Sequence, residues 1–171
     1  APRDTQELEA MLEFALNLHK PVAIRYPRGS SPAWNFPVEP VELGKAEVLK
    51  RGDNFVIIAL GSMVAVALEA IELLAKEGLS ATLINSRFVK PLDSVLLKEV
   101  SAKTKFIFTI EEGVLGAGFG SAVAEVLNKP VVRFGLPDEF IYHGRRDIWL
   151  AHYGLTGEAI ASRIKEIIKN G

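Results

Sequence analysis

Phe55-Val56-Ile57-Ile58-Ala59-Leu60-Gly61-Ser62 is the stretch on which the fold turns. A continuous apolar run rich in β-branched residues suits a strand covered on both faces, as in a parallel sheet. Gly61-Ser62 closes it, and Ser62 is placed to cap a helix over residues 64–77, which Gly78 ends. A buried strand that runs into a long helix is the first half of a βαβ unit.

The alternation continues downstream. Strands are expected over 81–88, 106–110 and 131–134, and helices over 92–102 and 118–127. Two helical stretches follow, the clearer over 158–169 with Ile160, Ile164, Ile167 and Ile168 on one side. Upstream, residues 43–49 alternate Ala46 and Val48 against Lys45, Glu47 and Lys50, and Arg51-Gly52-Asp53-Asn54 permits a hairpin into 55–60. The expected fold is α/β, with a largely parallel sheet, one antiparallel strand supplied by that hairpin, and helices on both faces.

The amino-terminal part differs. Asp4-Thr5-Gln6-Glu7 has the pattern of a capping box, and Leu8, Met11, Leu12, Ala15 and Leu16 recur at helical spacing. His19-Lys20-Pro21 stops that helix, and residues 22–26 are expected as a short strand. One helix and one strand cannot bury both their faces, so this unit is expected to be covered by other chains or to be mobile. Residues 30–40 hold three prolines and two serines and suit a semi-stiff connector, with Trp34 and Phe36 lying on a domain surface.

At 171 residues the chain suits one good-sized core plus a smaller appendage. A net charge of −1 implies neither a basic face for nucleic acid nor an acidic tail. No apolar run approaches a membrane span, and the absence of cysteine excludes disulfides, thiol catalysis and cysteine metal sites. A cytoplasmic location is expected. The start Ala1-Pro2-Arg3-Asp4, without Met or a signal pattern, suggests a piece of something longer.

Arg25-Tyr26-Pro27-Arg28-Gly29 sets two arginines at the carboxyl end of the first expected strand, where open α/β sheets hold ligands. A phosphate or carboxylate fits a guanidinium fork, and an interface ion pair is the competing role. Gly116-Ala117-Gly118 superficially resembles a dinucleotide turn, but Ser121 stands where the third glycine belongs. Close helix–strand packing is the preferred reading there, although the helix amino terminus also favours an anion. Glu111-Glu112 point in different directions on an extended chain, so interface salt bridges suit them better than an acid–base dyad. Arg87 and Lys90 suit an anion or, preferably, a partner subunit. His143-Gly144-Arg145-Arg146 makes a basic turn, and His19, His143 and His152 are too scattered for a metal centre.

Several strings together resemble one family. They are Arg25-Tyr26-Pro27-Arg28-Gly29, Leu43-Gly44-Lys45-Ala46-Glu47-Val48, Ser86-Arg87-Phe88-Val89-Lys90-Pro91-Leu92-Asp93, Glu111-Glu112 with Gly118-Phe119-Gly120-Ser121-Ala122-Val123, and Gly135-Leu136-Pro137-Asp138-Glu139-Phe140-Ile141 with His143-Gly144. In this order they are similar to the carboxyl-terminal part of the 1-deoxy-D-xylulose-5-phosphate synthases, thiamine-diphosphate enzymes of the transketolase group. The resemblance implies that residues 1–31 end a pyrimidine-binding domain, 32–40 link, and 41–171 form a three-layer α/β/α sandwich on a mixed, mostly parallel five-stranded sheet. It implies a transferase that condenses pyruvate with D-glyceraldehyde 3-phosphate, releasing CO2, to supply isoprenoid, thiamine and pyridoxal precursors. Thiamine diphosphate and Mg2+ would be held by residues outside this chain, in the missing amino-terminal domains, within a homodimer. Arg28 matches the family's contact to the aldehyde's phosphate, with Arg25 as its structural partner. No catalytic, cofactor-binding or metal-binding residue is implied within this chain, which is expected to be inactive alone. The alternative is a dimerisation or interaction module of a transketolase or 2-oxoacid dehydrogenase β subunit with no ligand contact.

Overall fold

A computed structural model describes residues 1–31 and 37–171 of the chain. The elements run α1 (Thr5–Asn17), β1 (Glu47–Lys50), β2 (Phe55–Ala59), α2 (Met63–Ala75), β3 (Ala81–Asn85), α3 (Ser94–Ala102), β4 (Ile107–Val114), α4 (Phe119–Leu127), β5 (Val132–Leu136), α5 (Arg146–His152) and α6 (Gly157–Asn170). The five strands form one mixed sheet in the order β1-β3-β2-β4-β5. The β3, β2, β4 and β5 pairings are parallel, with Ile57 opposite Leu83 on one side and Phe108 on the other.

Alternation along β2 divides the core. Phe55, Ile57 and Ala59 face α2 and α6, together with Leu83, Phe108 and Ile110. Val56, Ile58 and Leu60 face the opposite way, towards Leu97 and Val100 of α3 and Phe119 and Val123 of α4. A strand apolar at every position therefore sits at the centre of three layers, as its composition requires. None of the described helices is long and apolar enough to cross a membrane.

The antiparallel strand is present, but not by the expected hairpin. β1 pairs with β3, Glu47 opposite Asn85 and Val48 opposite Ile84, rather than with β2. Both edges of β2 are already taken by the parallel strands β3 and β4. The 51–54 turn instead straddles the start of β3: Gly52 accepts from Thr82 Oγ1 at 2.7 Å, and Ser80 N donates to Asn54 Oδ1 at 2.7 Å.

Three further expectations need correcting. Residues 21–27 carry no regular secondary structure, because no neighbouring strand among the described residues supplies a ladder. α1 turns Glu7 and Met11 inward, with Phe14 edge-on to Phe88 at 6.1 Å, while Leu12 and Leu16 of the anticipated stripe are exposed. Its cap is as expected at Asp4, whose Oδ1 accepts from Glu7 N at 2.7 Å; Glu7 reaches back one residue further, to Arg3 N. α3 starts at Ser94 under an Asp93 cap rather than at residue 92. Trp34 and Phe36 lie outside the described residues.

Candidate functional site

Topology picks out the place to look. The chain leaves β2 through α2 towards β3 on one side, and leaves β4 through α4 towards β5 on the other. Between the carboxyl ends of β2 and β4 the connections part, and open α/β sheets bind ligands in that crevice. Gly61 makes the turn there with φ +58, a conformation that suits glycine. A cleft of about 170 Å3 opens at this point, lined by Leu60, Gly61, Ser62 and Glu112 on the sheet side and by Arg25, Tyr26 and Pro27 on the other.

β4 sends its two glutamates to opposite faces, as adjacent residues on a strand must. Glu111 turns towards α4, almost wholly buried, and accepts from Phe119 N at 2.9 Å and Gly120 N at 2.8 Å. It thus satisfies two of the helix's open amides and sits at its positive end. A Cβ at Gly118 would stand 2.7 Å from Glu111 Oε2, so the glycine lets the backbone close around this carboxylate. The anion expected at this helix end is a side chain of the protein itself.

Glu112 turns the other way and meets Arg146 in a fork, with Nε to Oε1 at 2.7 Å and Nη2 to Oε2 at 2.5 Å. Ser62 Oγ donates to Glu112 Oε2 at 3.0 Å and accepts from Arg146 Nη2 at 3.0 Å. Ser62 is therefore spent on this triad and does not cap α2 with its side chain. Both glutamates, read as interface salt-bridge residues, are satisfied within the chain. Their longer-range partners, Arg146 and the α4 amides, gave no signal in the spacing.

A second, buried cluster joins the amino-terminal segment to the sheet. Arg87, expected at an anion or a partner, donates from Nε to Glu7 Oε1 at 2.7 Å, and Asn85 Nδ2 donates to the same oxygen at 2.8 Å. Arg3 bonds Asp4 Oδ2 at 2.9 Å and Glu47 Oε2 at 2.7 Å. Burial opposes the Arg3 charge, yet the Asp4 hydrogen bond and the Glu47 and Glu7 charges outweigh it and raise its pKa. The Ala1 amino group donates to Arg87 O at 2.7 Å, and its pKa falls to about 6, through burial first, with Glu7 opposing and Arg25 reinforcing. The amino-terminal unit, expected to be mobile or covered by other chains, is anchored through α1 to its own sheet.

Arg28 lies at the tip of the segment that forms the far wall of the cleft. Tyr26, Pro27 and Gly29 line the neighbouring cleft of about 150 Å3, which Ser62 and Arg146 share. Arg28 itself is exposed and, among the described residues, has no hydrogen bond or ion pair. Arg25 is exposed likewise and makes no pair with it. Arg28 lines neither cleft, although Pro27 and Gly29 on either side of it do; an exposed guanidinium there is chemically suited to a phosphate or carboxylate brought from outside.

The glycine-rich turn at the start of α4 does not fit a diphosphate group. The glycine-rich turn holds Glu111 where a diphosphate would need open amides. Among the described residues no three histidine, aspartate or glutamate side chains converge on a common metal position.

The chain matches the family model described as Transketolase, C-terminal domain, over residues 44–160. It is 44% identical over 97% of its length to a 1-deoxy-D-xylulose-5-phosphate synthase of Pelotomaculum thermopropionicum, and 41% identical over 99% to that of Caldanaerobacter subterraneus subsp. tengcongensis. It spans only 27% and 28% of the length of these relatives. A solved structure described as "Split gene transketolase, inactive beta4 tetramer" superposes with a TM-score of 0.88 at 35% identity, covering 98% of this chain and 56% of that one.

Proposed function

The chain belongs to the family of transketolase carboxyl-terminal domains, and on that footing we propose that it is the carboxyl-terminal part of a 1-deoxy-D-xylulose-5-phosphate synthase. The observation that carries this reading is the similarity to such synthases along nearly the whole chain. We assign residues 1–31 to the end of the preceding domain, 32–40 to a linker and 41–171 to the carboxyl-terminal domain. A family match that begins at residue 44 supports that division. The whole enzyme would be a thiamine-diphosphate transferase that condenses pyruvate with D-glyceraldehyde 3-phosphate and releases CO2, acting as a homodimer. Thiamine diphosphate supplies the carbanion chemistry when bound. Its binding groups and those for Mg2+ belong to the part of the protein outside this chain, and the chain alone has no synthase activity.

The direct contribution of this chain is Arg28, whose guanidinium contacts the phosphate of the aldehyde. Its exposure, its lack of a partner among the described residues and the place of its neighbours Pro27 and Gly29 in the cleft walls support that role. Losing a charged hydrogen-bonding partner costs about 1.5–3 kcal/mol. Arg28→Ala in the full-length enzyme is therefore expected to raise the KM for glyceraldehyde 3-phosphate roughly ten- to a hundredfold, with little change for pyruvate. Its melting temperature should stay near that of the parent, because an exposed side chain without partners contributes within about 0.5 kcal/mol. An unchanged KM for the aldehyde would overturn the assignment.

A second reading, an interaction module without ligand contact, is favoured by the exposure of Leu16, Phe140 and Tyr142, at 79%, 99% and 80%. It requires both Michaelis constants to be unaffected by Arg28→Ala.

A further inference from the structure

We propose that the buried cluster of Arg3, Glu7, Glu47 and Arg87 is a clasp that positions the Arg25–Gly29 turn, so that these are positioning residues for the phosphate contact. The inference rests on the reading of Arg28 given above.

The cluster draws on three separated parts of the chain: the start of α1, strand β1, and the end of β3. Glu7 is completely buried and Arg3 and Arg87 nearly so. Its ion pairs account for only some of its donors. Arg3 Nη2 donates to Pro37 O at 3.1 Å, Arg87 Nη2 to Glu39 O at 3.0 Å, and Arg87 Nη1 to Pro40 O at 3.2 Å. On the near side of residues 32–36, Thr5 N donates to Ser31 Oγ at 3.1 Å. The same start of α1 that enters the cluster thus grips the chain on both sides of that stretch.

These bonds matter because residues 21–30 make none of their own among the described residues. No ladder fixes the segment that carries Arg28. Residues 21–25 lie alongside α1 and Phe88, with which they line a cleft, while the hydrogen bonds that restrain the turn lie at its ends, the nearer at Ser31, three residues beyond Arg28. Three residues span at most about 10 Å, so the tether limits how far Arg28 can move from the start of α1. Apolar side chains of equal volume would hold α1 to the sheet as firmly as a buried ion cluster does. What they would lack is direction: guanidinium N–H groups fix particular carbonyls at particular angles.

The test has two arms. The chain contains no cysteine, and a Cβ at Gly29 meets nothing within 4 Å, so a spin label at Gly29→Cys reports the turn alone. In this chain the label is expected to show the restricted motion of a tethered backbone, and to become more mobile on adding Arg87→Lys, which keeps the charge but loses the fork. Thr5→Pro provides the same test without touching the cluster. Proline is tolerated at the first helical position and removes the N–H that Thr5 donates to Ser31 Oγ. In the full-length enzyme, both variants should raise the KM for glyceraldehyde 3-phosphate about tenfold while leaving that for unphosphorylated glyceraldehyde unchanged, since misplacing a binding group by about 1 Å is costly. A label equally immobile in folded Arg87→Lys and Thr5→Pro proteins overturns the clasp. So does an unchanged KM in both variants when Arg28→Ala raises it. If Arg28→Ala has no effect, the phosphate reading fails, and label mobility alone decides whether the turn is tethered in this way.

Discussion

Glu111 Oε1 accepts a 2.8 Å hydrogen bond from Gly120 N, nine residues further along the chain, and so holds the end of β4 to the start of α4. The glycine-rich turn between them has the outline of a nucleotide site, yet its anion is built in. The residues that make such a turn, small and amide-rich, serve an internal carboxylate as well as an external phosphate.

Replacing Glu111 by Gln should be destabilising. One oxygen becomes an NH2 that faces a backbone N–H, and the charge at the helix end is lost. The expected cost is about 1–3 kcal/mol, or a fall in melting temperature of roughly 2–10 °C in a chain of this length. Scanning calorimetry beside the exposed control Glu125→Gln checks this; equal melting temperatures would mean that the carboxylate does not cap α4.

Gly118 and Gly116 should respond differently to alanine. At 118 the new Cβ would lie 2.7 and 2.9 Å from the Glu111 oxygens and overlap the Val114 carbonyl oxygen, whereas at 116 nothing lies within 4 Å. Gly118→Ala is expected to cost about 1–3 kcal/mol and Gly116→Ala to stay within about 0.5 kcal/mol. Urea unfolding of the two variants decides the matter, and a similar loss in both would contradict the close approach described for 118.

The Arg146–Glu112 fork is partly open to solvent, at 40% and 25% exposure. Such pairs contribute about 1 kcal/mol or less and are screened by salt. Arg146→Ala should lower stability modestly at low ionic strength, with the difference from the parent shrinking as NaCl is added. A loss that does not vary with salt would place the role of Arg146 in packing rather than charge.

Asp147 titrates below the usual carboxylate range, chiefly because Arg145 donates a hydrogen bond to it, against a smaller opposing effect of burial. A depressed folded-state pKa means that any contribution is present above the unfolded value and lost as pH falls through the folded one. Carboxyl 13C titration should show the Asp147 midpoint rising towards the normal range in Arg145→Ala. Coincident titration curves would show that the pair is absent in solution.

The strands and helices of the main domain were legible because each advertises itself within its own stretch. The β2 run is apolar at every position, and Gly78 follows α2 where a helix ends. The pairing of β1 was not legible, since a turn at 51–54 permits a hairpin without requiring one. Residues 22–26 have the side chains of a strand, but a strand also needs a neighbour. In α1 the stripe through Leu8 and Leu12 was a sound apolar reading. The structure buries Glu7 instead, because Arg87 and Asn85 wait for it some eighty residues away.

For the site, residue types and their order along the chain drew attention to the Arg25–Gly29 turn as a place for an anion or an ion pair, and only the family resemblance singled out Arg28 within it. Local sequence also dictated where the main domain turns and coils, because those preferences depend on near neighbours, whereas extension into a strand at 22–26 needed a partner that near neighbours do not supply. Which charges meet was decided by tertiary structure. Glu111 could cap a helix or face an interface, Arg87 could bind a ligand or a carboxylate, and Ser62 could cap α2 or join Glu112. Each of these polar groups has several chemically adequate partners, and only the folded chain determines which of them lies within hydrogen-bonding distance once water is excluded.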